Sequence, residues 1–309
     1  MYKTVYWKTI EKEAEKNLEH LIFSSEQHFD NQVNDIVKSI YEKESVRIIM
    51  IAGPSSSGKT TFSKLLSEHL QTLGVKTHYI GLDDFFIDRD KVPLLPSGLK
   101  DFDSLRALDM PLLNRVIGGI LKSEWVEVPE FDFLTGKRKP ETNLICLHPE
   151  DIVIIEGIHA LNPYIIKDFN PSQIAKIAIE PQKTFIMPSG TEITPDELRL
   201  LRRTIRDFYT RGHTFEATAR QWEEVRKAES KYIFPFLKDA DYNVDSAHNY
   251  ELFVYKQCLK NELNDCATPA FDDIKKALGE IRNTPITHIP SSSLLNEFAI
   301  VKPHTTVNK

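Results

Sequence analysis

Between Lys8 and Ser45 charged residues surround apolar positions Ile10, Leu18, Leu21, Ile22, Val33, Ile36, Val37 and Ile40, mostly at helical spacing. That period predicts two amphipathic helices, joined near Ser24–Ser25. The pattern changes abruptly at Val46–Ala52, a short run rich in β-branched residues closed by Gly53–Pro54, which predicts a buried strand. Beyond it the two periods alternate. A helix is expected over 60–72, a strand over 77–81, a helix over 105–122 and a strand over 125–131. A short strand follows at Leu144–Leu147, then buried strands at Ile152–Ile155 and Ile174–Ile179. Residues 195–229 read as helix throughout. The turn-rich tail from Asn283 is expected to pack on the outside or fray. Strands alternating with helices predict an α/β fold with a parallel sheet covered on both faces.

Composition narrows the class. The chain has 309 residues, enough for one substantial core with a smaller appendage. A hydrophobic share of 41% and a charged share of 27% suit a soluble globular protein, and a net charge of −6 argues against a nucleic-acid partner. Cys146, Cys258 and Cys266 are too few and scattered for a disulfide framework or a Cys-rich zinc site. With no apolar leader and no long apolar run, the expected setting is cytoplasmic, without a membrane partner.

The chemistry begins at Gly53-Pro54-Ser55-Ser56-Ser57-Gly58-Lys59-Thr60, which matches G-x-x-x-x-G-K-[ST] between a predicted strand and a helix that opens with Thr61. Glycines let successive N–H groups turn inward around phosphate oxygens, and the helix N-terminus adds partial positive charge. Lys59 is expected to reach the β- and γ-phosphates of a bound nucleotide, and the Thr60 hydroxyl to ligate Mg²⁺; the loop alone leaves kinase, GTPase and motor-type ATPase open. No Asn-Lys-x-Asp for guanine occurs. Two acidic positions follow strands: Asp83-Asp84 after Tyr79–Leu82, and Glu156 after Ile152–Ile155, where ligands bind in open α/β sheets. Phosphoryl transfer to an alcohol needs a carboxylate to accept the proton and a metal to screen charge; taken alone, each acid reads equally well as a turn or strand-end residue. Arg199, Arg202, Arg203 and Arg206 recur at helical spacing and predict one cationic face, read alternatively as a solvated face paired with Asp196, Glu197 and Asp207.

Together these motifs resemble the uridine kinase/phosphoribulokinase family, and within it bacterial uridine kinase-like proteins. The resemblance runs from about Val46 to Leu259, about two-thirds of the chain. It implies a P-loop NTPase-type kinase domain over 46–282, with a substrate hairpin at about 126–147 and a lid helix at about 195–212. An N-terminal helical extension (1–45) and a C-terminal tail (283–309) flank it. It implies that Asp83, in Asp83-Asp84-Phe85-Phe86, is the catalytic base and Mg²⁺ neighbour, and that Glu156 of Glu156-Gly157-Ile158 is the Mg²⁺-associated acid. Asp103 of Phe102-Asp103 would contact ribose hydroxyls, with Asp109 completing that local pattern. Arg203 would face the acceptor, Arg206 and Arg211 the ATP phosphates, and Gln221 the nucleoside site. A homo-oligomer, commonly a tetramer, is also implied.

Departures concern the acceptor. In the run Val128-Pro-Glu-Phe131-Asp-Phe133-Leu-Thr-Gly136, Phe131 stands where Tyr is common, and Gly136 where a base-contacting His would be. His213 replaces an Arg frequent in the family. Phe131 and Phe133 are expected to sandwich a planar base, or else to serve as hairpin core. Shared with the bacterial subgroup are Arg211-Gly-His213, Trp222-x-x-x-Arg226 and Ile233-Phe-Pro-Phe236. The expected activity is transfer of the ATP γ-phosphate to a metabolite hydroxyl, foremost the 5′-hydroxyl of uridine or cytidine. Kinases of other sugars or polyols are the alternative. A nucleotide-binding regulatory or RNA-associated protein, using Lys137-Arg138-Lys139, is a third reading.

Overall fold

A computed structural model describes residues 2–299 except 168, 260 and 261. In chain order the elements are β1 (Lys3–Tyr6), α1 (Trp7–Tyr41), β2 (Ile48–Ala52), α2 (Lys59–Thr72), β3 (Thr77–Gly81), α3 (Met110–Leu121), β4 (Val126–Asp132) and β5 (Lys137–Ile145). There follow β6 (Ile152–Glu156), α4 (Pro163–Ile166), β7 (Ile174–Glu180), β8 (Lys183–Ile186), β9 (Glu192–Ile193), α5 (Pro195–Arg211) and α6 (Phe215–Tyr232). The last are α7 (Phe234–Leu237), β10 (Tyr242–Asp245), α8 (Glu251–Cys258), α9 (Glu262–Asp265) and α10 (Asp272–Glu280).

Five parallel strands form the central sheet in the order β10-β7-β2-β6-β3. All five residues of β2 are buried, which is why its sequence is a continuous apolar run rather than an alternation. Ile49 and Ile51 enter one core with α1, α2, α5 and α8, while Ile48, Met50 and Ala52 enter a second core with α3 and β4. The sequence-successive sheet strands β6 and β7 sit on opposite sides of β2, so a crevice opens at the carboxyl ends of the strands around β2. Separately, β4 and β5 form an antiparallel hairpin, and β1 pairs parallel with β8, which pairs antiparallel with β9.

Several boundaries differ from expectation, each for a local reason. The first helical segment breaks at Asn17 (φ −164°, ψ 98°), not at Ser24–Ser25. The Asn17 carboxamide oxygen accepts from His20 N at 3.0 Å and so caps the second half. Ser24 instead donates to Leu21 O within the helix. The helix expected from 105 begins only at Met110, because Asp109 caps it by accepting from Leu112 N at 3.0 Å. Pro111 in its first turn lacks the N–H a longer helix would need. Helix α5 starts on the Thr194/Glu197 capping box and ends at Gly212 (φ +68°), so the helical stretch read over 195–229 is α5, close to the helix expected over 195–212, followed by α6. The strand expected at 144–147 is the end of the longer β5, whose polar residues carry no strand signal.

The described part of the tail, 283–299, does not simply lie on the outside, and 300–309 fall outside the described residues. Ile286, Leu294, Leu295 and Phe298 are all buried in the same core as α1, α2 and α5. Trp7, Leu21, Phe29, Val33 and Ile40 of α1 belong to that core as well.

Candidate active site

The crevice holds a cavity of about 370 Å³ lined by the loop Ser55–Thr60, Asp83, Asp103, Glu156 and three arginines, Arg203, Arg206 and Arg211. Its floor is the 53–60 loop between β2 and α2. A Cβ on Gly53 would lie 2.1 Å from Ile179 O, so only glycine lets the loop leave β2 this close to β7. Ser56 (φ +58°) and Gly58 (φ +92°) take left-handed backbone, which turns the loop around the N-terminus of α2. The Ser56 and Ser57 hydroxyls are buried with no partner, a donor surplus that suits an anion in the loop. Lys59 Nζ donates to Pro54 O at 3.2 Å, folded back over its own loop.

Helix α5 braces this loop from behind. Arg199 and Arg202 are essentially fully buried; they do not form a solvent face. Arg199 makes a two-pronged pair with Glu229 (2.7 and 2.9 Å), touches Asp196, and donates to Ser55 O at 3.2 Å. Glu229 in turn accepts from Ser55 N at 2.8 Å. Arg202 bonds Glu251 and Ser246 and donates to Ser56 O at 3.4 Å. The single cationic face expected from spacing therefore divides. Arg199 and Arg202 are struts, while Arg203 and Arg206 turn toward the cavity.

Arg203 donates to Ser55 Oγ (3.0 Å) and Gln221 Oε1 (3.4 Å) and pairs with Asp207 at 3.4 Å. Asp207, fully buried, also holds Arg211 at 3.0 Å and lies 3.9 Å from Arg206 and from His213. One carboxylate thus gathers the cations beside the cavity. Burial, with Arg211 nearby, lowers the Arg206 guanidinium to about 10, still charged at neutral pH.

The acids face this array. Thr60 Oγ1 (3.2 Å) and the Tyr79 hydroxyl (2.9 Å) both donate to Glu156 Oε2. Asp83 has its surface open to the cavity, yet protein walls crowd it and limit its hydration. That crowding first, then repulsion from Glu156, pushes its carboxyl up to about 6, against the pull of Lys59. Its neighbour Asp84 is committed elsewhere: its Oδ1 accepts from Phe131 N at 3.1 Å, tying the hairpin to the 82–85 turn. Asp103 is also pushed up to about 6, by burial, with Arg203 pulling down.

Of the residues singled out from sequence, Ser55–Thr60, Asp83, Asp103, Phe133, Glu156, Arg203, Arg206 and Arg211 meet in one cavity. Gly53, Pro54, Thr61, Phe131, His213 and Gln221 are not on its wall. Phe131 packs edge-on against Phe86 and Phe133 inside the hairpin core, so the pair does not sandwich a base. Gln221 touches the cavity lining only through Arg203, from which its Oε1 accepts at 3.4 Å. Phe86, Phe102, Ile158 and Glu297 line the cavity without having been singled out for it. The first three adjoin motif residues and were findable by adjacency; Glu297 has no local signal.

Comparison with known proteins turns this geometry into a membership. The sequence profile of the Phosphoribulokinase / Uridine kinase family matches residues 48–175 and 191–252, well over half of the chain. The chain belongs to that family. Among curated members it is 31% identical over 195 residues to a uridine kinase of Staphylococcus epidermidis, covering 63% of this chain and 84% of that one. It is 28% identical over 205 residues to one of Anoxybacillus flavithermus, covering 66% and 88%. In structure it is similar to a putative fructose transport system kinase from Silicibacter sp. TM1040, with TM-score 0.50 and 18% identity over 68% of this chain and 98% of that one. That last likeness speaks to fold. As a P-loop kinase of the family, the chain matches it through β2, the loop, β3, β6 and α5 alike.

Proposed function

We propose that this kinase transfers the γ-phosphate of ATP to a hydroxyl of a small metabolite, with the 5′-hydroxyl of uridine or cytidine as acceptor. The observation that carries the reading is Asp83: a carboxylate open to the cavity, raised to about 6, opposite Lys59 and beside two further acids. A general base near neutrality accepts a hydroxyl proton at the operating pH. In this reading Arg203 and Asp103 would orient the acceptor, and Arg206 and Arg211 would meet phosphate charge. The nucleoside identity comes from the curated relatives named uridine kinase.

Mg²⁺ fits the donor set. Thr60 Oγ1, Glu156 and Asp83 are hard oxygen donors around one corner, and two of the three are acids that repel each other. Among the described residues no group of three or more His, Cys, Asp or Glu could hold an ion unaided, so phosphate oxygens would complete the shell. The bound ion would screen charge between the phosphates.

A second acceptor class, small sugars or polyols, is favoured by the hairpin turn. Gly136 leaves no side chain there, and Arg89 fills the space a Cβ would need, 2.7 Å away. An ATP-consumption screen over pyrimidine nucleosides and small polyols decides between them. Activity with uridine or cytidine, abolished by Lys59→Ala in folded protein, supports the proposal. Turnover confined to polyols overturns the nucleoside reading, and wild-type turnover by Lys59→Ala overturns the donor site.

A further inference from the structure

The segment 291–299 crosses from the N-terminal helix to the mouth of the cavity. Ser293 caps a short turn, Leu294–Glu297, by accepting from Leu295 N at 3.2 Å. The Ser293 hydroxyl donates at 2.6 Å to Glu26 Oε1 of α1, which the Tyr250 hydroxyl also engages. From this pin the turn reaches the phosphate loop. A Cβ on Gly58 would meet Leu294 Cδ1 at 2.2 Å, and Phe298 lies 5.2 Å beneath the Arg202 guanidinium. At the far end Glu297 enters the cavity wall. Its Oε2 accepts from Thr61 Oγ1 at 2.9 Å, and its Oε1 lies 3.7 Å from Arg206 Nη1.

A carboxylate on that spot is costly for a site built to take anions. Arg206 and the adjoining loop are the donors a phosphate chain would use, and Glu297 already holds Arg206 and, at the loop's edge, the Thr61 hydroxyl. A polyanion entering the same cavity meets a fixed like charge unless the carboxylate withdraws.

We propose that Glu297 is a built-in counter-anion: it occupies Arg206 and Thr61 in the free protein, and the phosphate chain of an incoming nucleoside triphosphate displaces it. Nucleotide affinity is then set partly by how firmly the 291–299 turn is pinned through Ser293 to Glu26. This rests on the cavity being the ATP donor site. The device accounts for a buried tail that contributes a charge where packing alone would supply none.

The test is equilibrium binding of ATP by calorimetry, with and without Mg²⁺, to the full chain and its variants. Glu297→Gln and Glu297→Ala are expected to bind ATP about three- to tenfold tighter at low salt, the gain shrinking at about 0.5 M salt. Arg206→Ala is expected to erase the gain, since the competition is for that cation. Ser293→Ala, which cuts the pin and leaves the carboxylate, should tighten binding by a smaller factor; no change there removes the pinning half of the proposal. Equal or weaker binding by both Glu297 variants overturns it, because Glu297 would then support the site. Lys59→Ala separates the two levels. If Lys59→Ala weakens ATP binding while the Glu297 variants do not tighten it, only this inference falls. If Lys59→Ala binds ATP as the wild type does, the donor reading falls too.

Discussion

Asp83 and Asp84 are adjacent and of the same residue type, and their surroundings give them opposite work. Asp84 is spent on Phe131 N and the hairpin, while Asp83 is left facing Lys59 and Glu156. The carboxyl is raised to about 6 without a metal, and Mg²⁺ beside it would pull it down, so if Asp83 is the base kcat/KM for the acceptor should rise with pH along an acid limb at or below about 6. Asp83→Asn should lower kcat roughly 10²- to 10⁴-fold and remove that acid limb. A second readout has the opposite sign. A carboxyl with a higher pKa in the folded than in the unfolded chain favours folding at low pH, and that contribution is lost as pH rises from about 4 toward 6. Asp83→Asn should therefore melt above the wild type at pH 7–8, modestly, because cavity water damps the effect. A pH–rate profile and a thermal melt check both; greater kcat loss for Asp84→Asn than for Asp83→Asn would reverse the roles.

Helix α5 presents two kinds of arginine at the same spacing, and mutation should separate them. Arg206→Ala should lower kcat on the order of 10³-fold with little change in acceptor KM, as a charge-stabilising arginine does. Arg206→Lys should recover part of the loss, a point charge being a poor substitute for a planar fork. Arg203→Ala should raise acceptor KM, since its guanidinium stands beside Asp103. Steady-state kinetics on folded variants tests this, and wild-type turnover by Arg206→Ala would end its catalytic assignment. Arg202 is different in kind. It is wholly buried against Glu251, so Arg202→Ala leaves an unpaired buried carboxylate and should cost about 3–5 kcal/mol of stability. Denaturant titration reads that loss directly; a change below about 1 kcal/mol would mean the pair does not brace the loop.

At the scale of the whole molecule, the described segments nearest both termini, 3–41 and 286–299, are built into the core that carries the site. Trp7 is fully buried against Phe185 and Phe253, and α1 covers α2, the helix that begins at Lys59. Removing residues 1–45 would strip that cover and the Glu26 pin together. The shortened chain should lack a cooperative melt and bind no ATP, whereas a detachable extension would leave both intact. Trp7→Ala in the full chain gives a graded version, with an expected loss of about 3–5 kcal/mol. Among the described residues no helix is long and apolar enough to cross a membrane.

Much of this was legible from local pattern. The run Ile48–Ala52, Gly53 and Gly58, and the acids after β3 and β6 are features whose meaning is set within about ten residues, by strand burial, backbone freedom and chain direction. They gave the α/β sheet and the phosphate loop. What sequence could not supply was anything decided by distant partners. Equal helical spacing made four arginines look alike, and only the acids at 229, 251 and 207 sort them into struts and cavity cations. Phe131 and Phe133 alternate as strand residues do, but whether either faces a ligand depends on Phe86 across the hairpin. Asn17 breaks a helix that Ser24–Ser25 leave whole, because its carboxamide finds His20 N. The turn-rich tail has the composition of a frayed end, yet Leu294 and Phe298 find Gly58 and Arg202 more than ninety residues away. Periodicity records which face of an element is apolar; which partner covers that face is fixed only when the chain closes on itself.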